Sequence, residues 1–274
     1  MTPLAPGSLE EALELRRTHP EAVPVAGGTD LMVDVNAGRI APRALLDLSR
    51  VEELRSWRRD DGVVFLGAGM TFARIERELT DFRPLVEAAR SVASRQIRNR
   101  ATLGGNLATA SPAGDSLPVL AAYGADVVAA SARAGTRRIP LGVFLVGPKR
   151  TALGPDELIV GVEWRPAAGP GSFAKVGRRH AMVIAIASIC LQADAERHAV
   201  HLALGSVGPT VLRALRAEHF ATGVDWSDPA AVAEFGRLAA AEAQPIDDLR
   251  GSAVYRRRAV EVLARRALEK AARC

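Results

Sequence analysis

Two pairs of adjacent glycines are the residues best suited to chemistry in this sequence. One lies in Ala26-Gly27-Gly28-Thr29-Asp30, the other in Thr102-Leu103-Gly104-Gly105-Asn106. Adjacent glycines let the backbone take positive φ and bring N–H groups close to a ligand. Successive N–H groups form a concavity that suits an anion such as a pyrophosphate. Thr29 and Thr102 would add a hydroxyl donor beside each loop. Ordinary turns use the same residues, so both readings stand. The recurrence of the pattern, each time with a threonine, strengthens the ligand reading.

Other patterns fall away on their chemistry. Gly67-Ala68-Gly69 begins a dinucleotide fingerprint, but Phe72 stands where its third glycine belongs, and no glycine run carries a Walker lysine. Gly114-Asp115-Ser116-Leu117 spells the signature of a serine hydrolase family. That nucleophile needs a histidine base, and no Asp-x-x-His follows; Asp194 to His198 is one residue too long. The two cysteines, Cys190 in an apolar run and Cys274 at the end, cannot hold an iron–sulfur cluster or a Cys-rich zinc site. Cys190 reads as a buried structural thiol. The five histidines form no HExxH pattern, so no metal is expected on this chain.

The elements that must position these loops follow from the rest of the chain. Its 274 residues suggest two domains, and 48% hydrophobic with 24% charged residues is ordinary for a globular protein. No run of 18 uncharged apolar residues marks a membrane span, and residues 1–11 carry no secretory signal, so a cytoplasmic protein is expected. The net charge of +5 is modest for a nucleic-acid binder, and the arginines at 256–258 and 265–266 read as a solvated helix face. Apolar spacing predicts helices over 8–19 (opened by a Ser8–Glu11 capping box), 72–79, 84–94 and 117–123. Short strands are expected at 22–26, 44–48, 62–67, 127–130, 137–140 and 158–164. After a turn-rich link at 166–171 come strands at 172–176, 184–193 and 199–206, then helices over 209–223, 229–241 and 253–273. The class is α+β.

Residues 24–31 (PVAGGTDL) and 102–115 (TLGGNLATASPAGD) resemble the two flavin-binding segments of the FAD-binding medium subunit of molybdenum hydroxylases, the xanthine dehydrogenase and carbon monoxide dehydrogenase type. Residues 144–159 (FLVGPKRTALGPDELI), 173–181 (FAKVGRRHA) and 246–257 (IDDLRGSAVYRR) resemble further family stretches, in order and across nearly the whole chain. The resemblance implies a PCMH-type, two-lobed FAD-binding domain over 1–168, with lobes of about 1–55 and 56–168. A small C-terminal domain of antiparallel sheet plus helices, of the carbon monoxide dehydrogenase flavoprotein type, would cover 169–274.

The cofactor implied is noncovalent FAD, extended between the lobes. Ala26, Gly27, Gly28, Thr29, Asp30 and Leu31 would hold the pyrophosphate, with Val25 on the same wall. A carboxylate beside a pyrophosphate repels, so Asp30 would face a loop amide. Thr102, Gly104, Gly105 and Asn106 would close from the other lobe, and Val92 and Ala93 would flank the adenine. Asp115 would accept from the adenosine ribose, Ile159 would pack near the isoalloxazine, and Lys175 would steady charge on the reduced ring. Plainer roles exist for each: Asp115 as a helix cap, Lys175 on the surface, Val92 and Ile159 in the core. No tyrosine stands at 175–186 to cover the ring, which leaves that place to Ile184 or Ile186.

The function implied is that of an electron-exit subunit. A large subunit would carry the molybdenum cofactor and hydroxylate the substrate. A small one would carry two [2Fe–2S] clusters, and the whole would form a dimer of heterotrimers. Electrons would leave to NAD or another acceptor; xanthine or another purine is the first substrate expected, with carbon monoxide, aldehydes and N-heteroaromatics as alternatives. A standalone FAD oxidoreductase, a noncatalytic assembly module and a basic RNA-binding module are the competing classes. The last is weakened by having only 12 aromatic residues (Phe 7, Trp 3, Tyr 2).

Overall fold

The computed structural model describes residues 2–179 and 182–273; Met1, His180, Ala181 and Cys274 lie outside the described residues. The chain begins with β1 (Thr2–Leu4), α1 (Leu9–Thr18), β2 (Ala22–Val25), α2 (Leu31–Asn36) and β3 (Ala44–Asp47). The capping box forms: Ser8 Oγ accepts from the Glu11 amide at 3.2 Å, and Glu11 reaches back to the Gly7 amide at 2.7 Å. The strands make a parallel sheet in the order β1-β3-β2. Parallel neighbours need crossover connections, so the chain leaving β2 must turn away at its carboxyl end, where such sheets hold ligands. That turn is Ala26 to Asp30.

The middle of the chain contributes β4 (Trp57–Asp60), β5 (Val63–Gly67), α3 (Phe72–Glu78), α4 (Arg83–Ser91), α5 (Arg95–Arg98), α6 (Leu103–Thr109) and α7 (Ser116–Ala122). It continues with β6 (Asp126–Ser131), β7 (Gly135–Pro140), α8 (Leu141–Phe144), β8 (Leu145–Gly147), β9 (Arg150–Thr151) and β10 (Leu158–Trp164). Strands β4-β5-β10-β6-β7 form an antiparallel sheet in that order. Its inner face packs Leu66, Val127 and Val162 against Leu85 of α4, Leu103 and Leu107 of α6 and Leu120 of α7. Trp164 closes this core between Phe82 and Tyr123, with ring centroids 5.2 and 5.3 Å away.

The last part holds β11 (Gly171–Val176), β12 (Ala187–Asp194), β13 (Ala199–Gly205), β14 (Leu212–Arg213), α9 (Leu215–Ala221), α10 (Pro229–Glu242) and α11 (Ala253–Ala272). The four strands pair antiparallel in sequence order. Side chains alternate across a strand, and here both faces are covered. Phe173, Cys190 and Ala203 enter the central core, while Ile189, Leu191, Leu202 and Leu204 meet α9, α10 and α11. The sheet is thereby bolted to the flank of the central core. Cys190 is the buried thiol expected, and burial pushes its ionisation upward.

Two expectations need correction. Residues 209–223 are not one helix: Leu212 and Arg213 pair with Leu204 and Ala203, and helix starts only at Leu215. The arginines on α11 are not all solvated. Arg257 and Arg258 are exposed, but Arg256 is only 4% exposed. Its guanidinium donates to the carbonyls of Ile186 (2.8 Å) and Ser206 (2.7 Å) and to Asp248 Oδ1 (2.6 Å). It pins the approach to β12, the end of β13 and the 248–251 turn to one helix. Removing one partner of such a buried charged cluster is costly. Arg256→Met should lower stability by about 3 kcal/mol or more, read as the urea midpoint. The Asp248 carboxyl is held down to about 2, first by the Arg250 amide and also by Arg256. Its contribution is complete above about pH 4 and lost as the pH falls through about 2.

Candidate functional site

The first glycine pair forms an open turn. The amides of Gly27, Gly28, Thr29 and Asp30 donate to no acceptor among the described residues. Gly28 has φ +70°, a conformation that L side chains rarely adopt. Gly27 does something different from what the sequence suggests. A Cβ there would overlap the Arg100 carbonyl and sit 3.1 Å from Ala101 Cα. Gly27 is therefore required by main chain from the other lobe, not by a phosphate. Asp30 also differs: its side chain caps no amide, and Oδ2 accepts from Thr109 Oγ1 at 3.3 Å. Val25 stays half-buried beside the turn, 3.9 Å from where a Gly28 Cβ would lie.

The second glycine pair is not a loop. It opens α6, with Thr102 as N-cap accepting the Gly105 amide at 3.1 Å. Its amides are committed inside the protein: Leu103 donates to Met70 (3.0 Å), Gly104 to Ala68 (2.8 Å) and Asn106 to Thr102 (3.1 Å). The two glycines then divide their work. A Cβ on Gly104 would strike Ala68 at 2.7 Å, so this glycine seats α6 on the β5–α3 turn. A Cβ on Gly105 would meet only the Thr102 hydroxyl, at 3.2 Å, and the residue is exposed. Gly105 alone leaves a bare stretch of helix that the packing of the protein does not demand. Thr109, one turn later, donates to the Gly105 carbonyl at 2.8 Å and to Asp30, joining the two segments. Its role was legible only once 103–109 is known to be helical, since residues four apart share a face.

The third cluster joins Asp115, Lys175 and Ser91. Lys175 Nζ lies 2.5 Å from Asp115 Oδ2 and 2.9 Å from the Ser91 carbonyl, and Ser91 Oγ donates to the same Oδ2 at 2.9 Å. Asp115 Oδ1 is buried with no hydrogen-bond partner among the described residues. Burial pushes the Asp115 carboxyl up, and Lys175 and Ser91 oppose that. Asp115 precedes α7 but its side chain caps nothing, which disposes of the plain capping role. Lys175, expected near the flavin ring, and Asp115, expected at the ribose, are thus in direct contact. Val92 and Ala93 follow Ser91 directly in the chain, and Ala93 is held at φ +37°. Ser91, at the last turn of α4, had no distinguishing signal in the sequence.

The remaining expectations divide. Ile159, expected near the isoalloxazine, lies near the start of β10 in the central core at 7% exposure. Ile184 is exposed while Ile186 is buried, which removes Ile186 as a ring cover. Asn106 Oδ1 accepts from Ser116 Oγ at 2.7 Å, tying α6 to α7. Ser116 is fully buried and spends its hydroxyl on that bond, which leaves it no role as an exposed nucleophile.

Comparison with known proteins places this geometry. Residues 1–164 match the family described as FAD binding domain in molybdopterin dehydrogenase, and residues 172–271 match the CO dehydrogenase flavoprotein C-terminal domain. The FAD subunit of nicotinate dehydrogenase from Eubacterium barkeri is 35% identical over 192 residues, covering 66% of this chain and 64% of that protein. The medium subunit of nicotine 6-hydroxylase from Paenarthrobacter nicotinovorans is 34% identical over 275 residues, covering 97% of this chain and 95% of that one. The chain spans just under two thirds of the Eubacterium protein and 18% of the xanthine dehydrogenase of Emericella nidulans. Among solved structures, carbon monoxide dehydrogenase from Hydrogenophaga pseudoflava superposes with a TM-score of 0.91 at 30% identity, covering 100% of this chain and 98% of that chain.

The residues present fit FAD. Four undonated amides suit a pyrophosphate, exposed Gly105 permits close approach, and the orphaned Asp115 oxygen suits a hydroxyl donor. The glycines separate ligand from scaffold. Gly105→Val should fold with a melting temperature within a few degrees of wild type yet lose FAD, scored by flavin absorbance per chain. Gly27→Val should lose fold and flavin together, because its Cβ meets main chain. Stoichiometric flavin in folded Gly105→Val would remove Gly105 from the site. By both of its matched regions and by the fit of these residues, the chain belongs to the FAD-binding subunit family of the molybdenum hydroxylases.

Proposed function

We propose that this chain is the electron-exit subunit of a cytoplasmic molybdenum hydroxylase. Its partners are a large subunit with the molybdenum cofactor and a small subunit with two [2Fe–2S] clusters, assembled as a dimer of heterotrimers. FAD held by the residues below would supply the redox chemistry between the clusters and NAD⁺ or another acceptor. The chain itself binds and orients. The amides of Gly27 to Asp30 meet the pyrophosphate, Leu31 continues that wall into α2, and the α6 face at Gly105 closes from the other side. Asp115, flanked by Val92 and Ala93, takes the ribose.

The observation that carries this reading is the pairing of an undonated amide turn with a glycine that packing does not require, held together by Gly27 on Arg100 and by Asp30 on Thr109. The cysteine inventory supports the division of labour, since two cysteines cannot hold two clusters. We place the substrate on the large subunit and take it to be a nitrogen heterocycle, with xanthine or another purine first. Relatives named for nicotinate, nicotine, xanthine and caffeine support that class. The carbon monoxide dehydrogenase match and a glyceraldehyde dehydrogenase medium chain keep smaller substrates as the alternative.

The test is the absorbance spectrum of the purified protein before and after acid precipitation, with metal analysis of copurifying chains. A flavin spectrum released to the supernatant, with partners carrying iron and molybdenum, is expected. Turnover of xanthine with NAD⁺ would support the finer assignment. Flavin without partners, in a protein that oxidises a small substrate alone, would replace it with a standalone oxidoreductase.

A further inference from the structure

The Lys175–Asp115–Ser91 cluster crosses between separately matched parts of the chain. Ser91 and Asp115 stand on α4 and before α7 in the first matched region; Lys175 comes from β11 in the second. The contact is enclosed, with the lysine and aspartate side chains only 10% and 7% exposed. All three donated bonds converge on one side of the cluster. Oδ2 receives Lys175 and Ser91, the Ser91 carbonyl receives Lys175, and Oδ1 receives nothing among the described residues. A buried carboxylate oxygen without a donor costs stability unless something supplies one. The ammonium, in turn, is occupied by two protein acceptors at 2.5 and 2.9 Å. It has the geometry of a residue acting on Asp115.

Resting on the FAD reading above, we infer that Lys175 is a positioning residue: by pairing with Oδ2 it fixes Asp115 so that Oδ1 accepts a ribose hydroxyl of FAD. The C-terminal sheet thereby controls retention of the cofactor through its nucleotide end, and Lys175 does not tune the flavin ring. Ser91 is the second support of the same oxygen. Breaking the pair from the lysine side leaves a buried carboxylate without its counter-charge, the costly case for a buried ion pair. Replacing both charges removes that penalty but also the charged acceptor.

The experiment uses the full chain, with any partners that copurify, stripped of flavin and titrated with FAD by fluorescence quenching. Lys175→Met should weaken FAD binding by about tenfold or more, Lys175→Arg by less, and Ser91→Ala by a few-fold. At saturating FAD, the reduction potential of the bound flavin in Lys175→Met, read by dye equilibration, should match wild type. Wild-type affinity in Lys175→Met, or a displaced potential, overturns the inference and returns the lysine to the ring. If circular dichroism shows that Lys175→Met does not fold, the double variant Lys175→Met/Asp115→Asn carries no buried charge and decides instead. Weak FAD binding by a folded double variant is expected, and tight binding overturns the inference. Failure of the wild-type chain to take up FAD at all is a different result, which overturns the FAD reading itself.

Discussion

The site depends on main chain meeting main chain. At Gly27 the turn after β2 lies directly on the Arg100 carbonyl, and at Gly104 the start of α6 lies on Ala68, where a methyl would sit 2.7 Å from the alanine Cβ. Backbones approach this closely only where no Cβ intervenes. The first contact brings the parallel sheet to the central one; the second seats the helix whose exposed glycine faces away from the core. If either glycine carried a side chain, the amide turn and the bare face of α6 would be pushed apart. These two glycines thus fix how the amide turn and the start of α6 are seated on their neighbours.

Electrostatics makes the other end of the site. Burying a carboxylate is unfavourable without a partner, and Asp115 is buried. The lysine that meets it is supplied by β11, a strand fixed by its own packing: Phe173 enters the central core, and its amide donates to Glu87 Oε2 of α4 at 2.8 Å. The position of Lys175 is therefore set by hydrophobic burial, and the ion pair inherits that precision. A surface pair of two flexible side chains would not have it. The same logic runs through Arg256, whose guanidinium is held by two carbonyls and Asp248 where α11 packs on the sheet.

Much of the fold was legible because local rules were obeyed. The Ser8 cap, the apolar spacing of α4 and the short apolar run of β10 each placed an element within a few residues of its observed bounds. The glycine pairs drew attention to two segments that the structure brings together through Asp30 and Thr109. Their individual jobs were illegible, because whether a glycine faces a ligand or a carbonyl depends on chain far away in sequence. Gly27 and Arg100 are 73 positions apart. The helix at 103–109 was hidden by its two glycines, which are poor helix formers; Thr102 capping and the burial of Leu103 and Leu107 override that. Arg256 looked like its solvated neighbours because three consecutive arginines give no hint of which one faces inward. Lys175 was found, but its partner was not, since an ion pair 60 residues apart leaves no pattern.

Two of the left-handed, non-glycine positions flank the site residues. Among the seven such positions in the described residues, Ala93 and Ala110 take φ of +37° and +44°. Each costs on the order of 1 kcal/mol. Ala93 follows the α4 terminus that supplies Ser91; Ala110 ends α6 directly after Thr109. In both places the chain leaves a helix abruptly, and in both the last helical residue binds a carboxylate. A continued α4 would carry Val92 and Ala93 onward along the helix axis, past Asp115. A continued α6 would displace the 111–114 turn that delivers Asp115 to Lys175. The left-handed alanines are thus the local cost of stopping two helices at the positions where their final hydroxyls, Ser91 and Thr109, can bind a carboxylate each. That cost is offset by the packing of Leu85, Ala88 and Ala89 on one helix and Leu103 and Leu107 on the other.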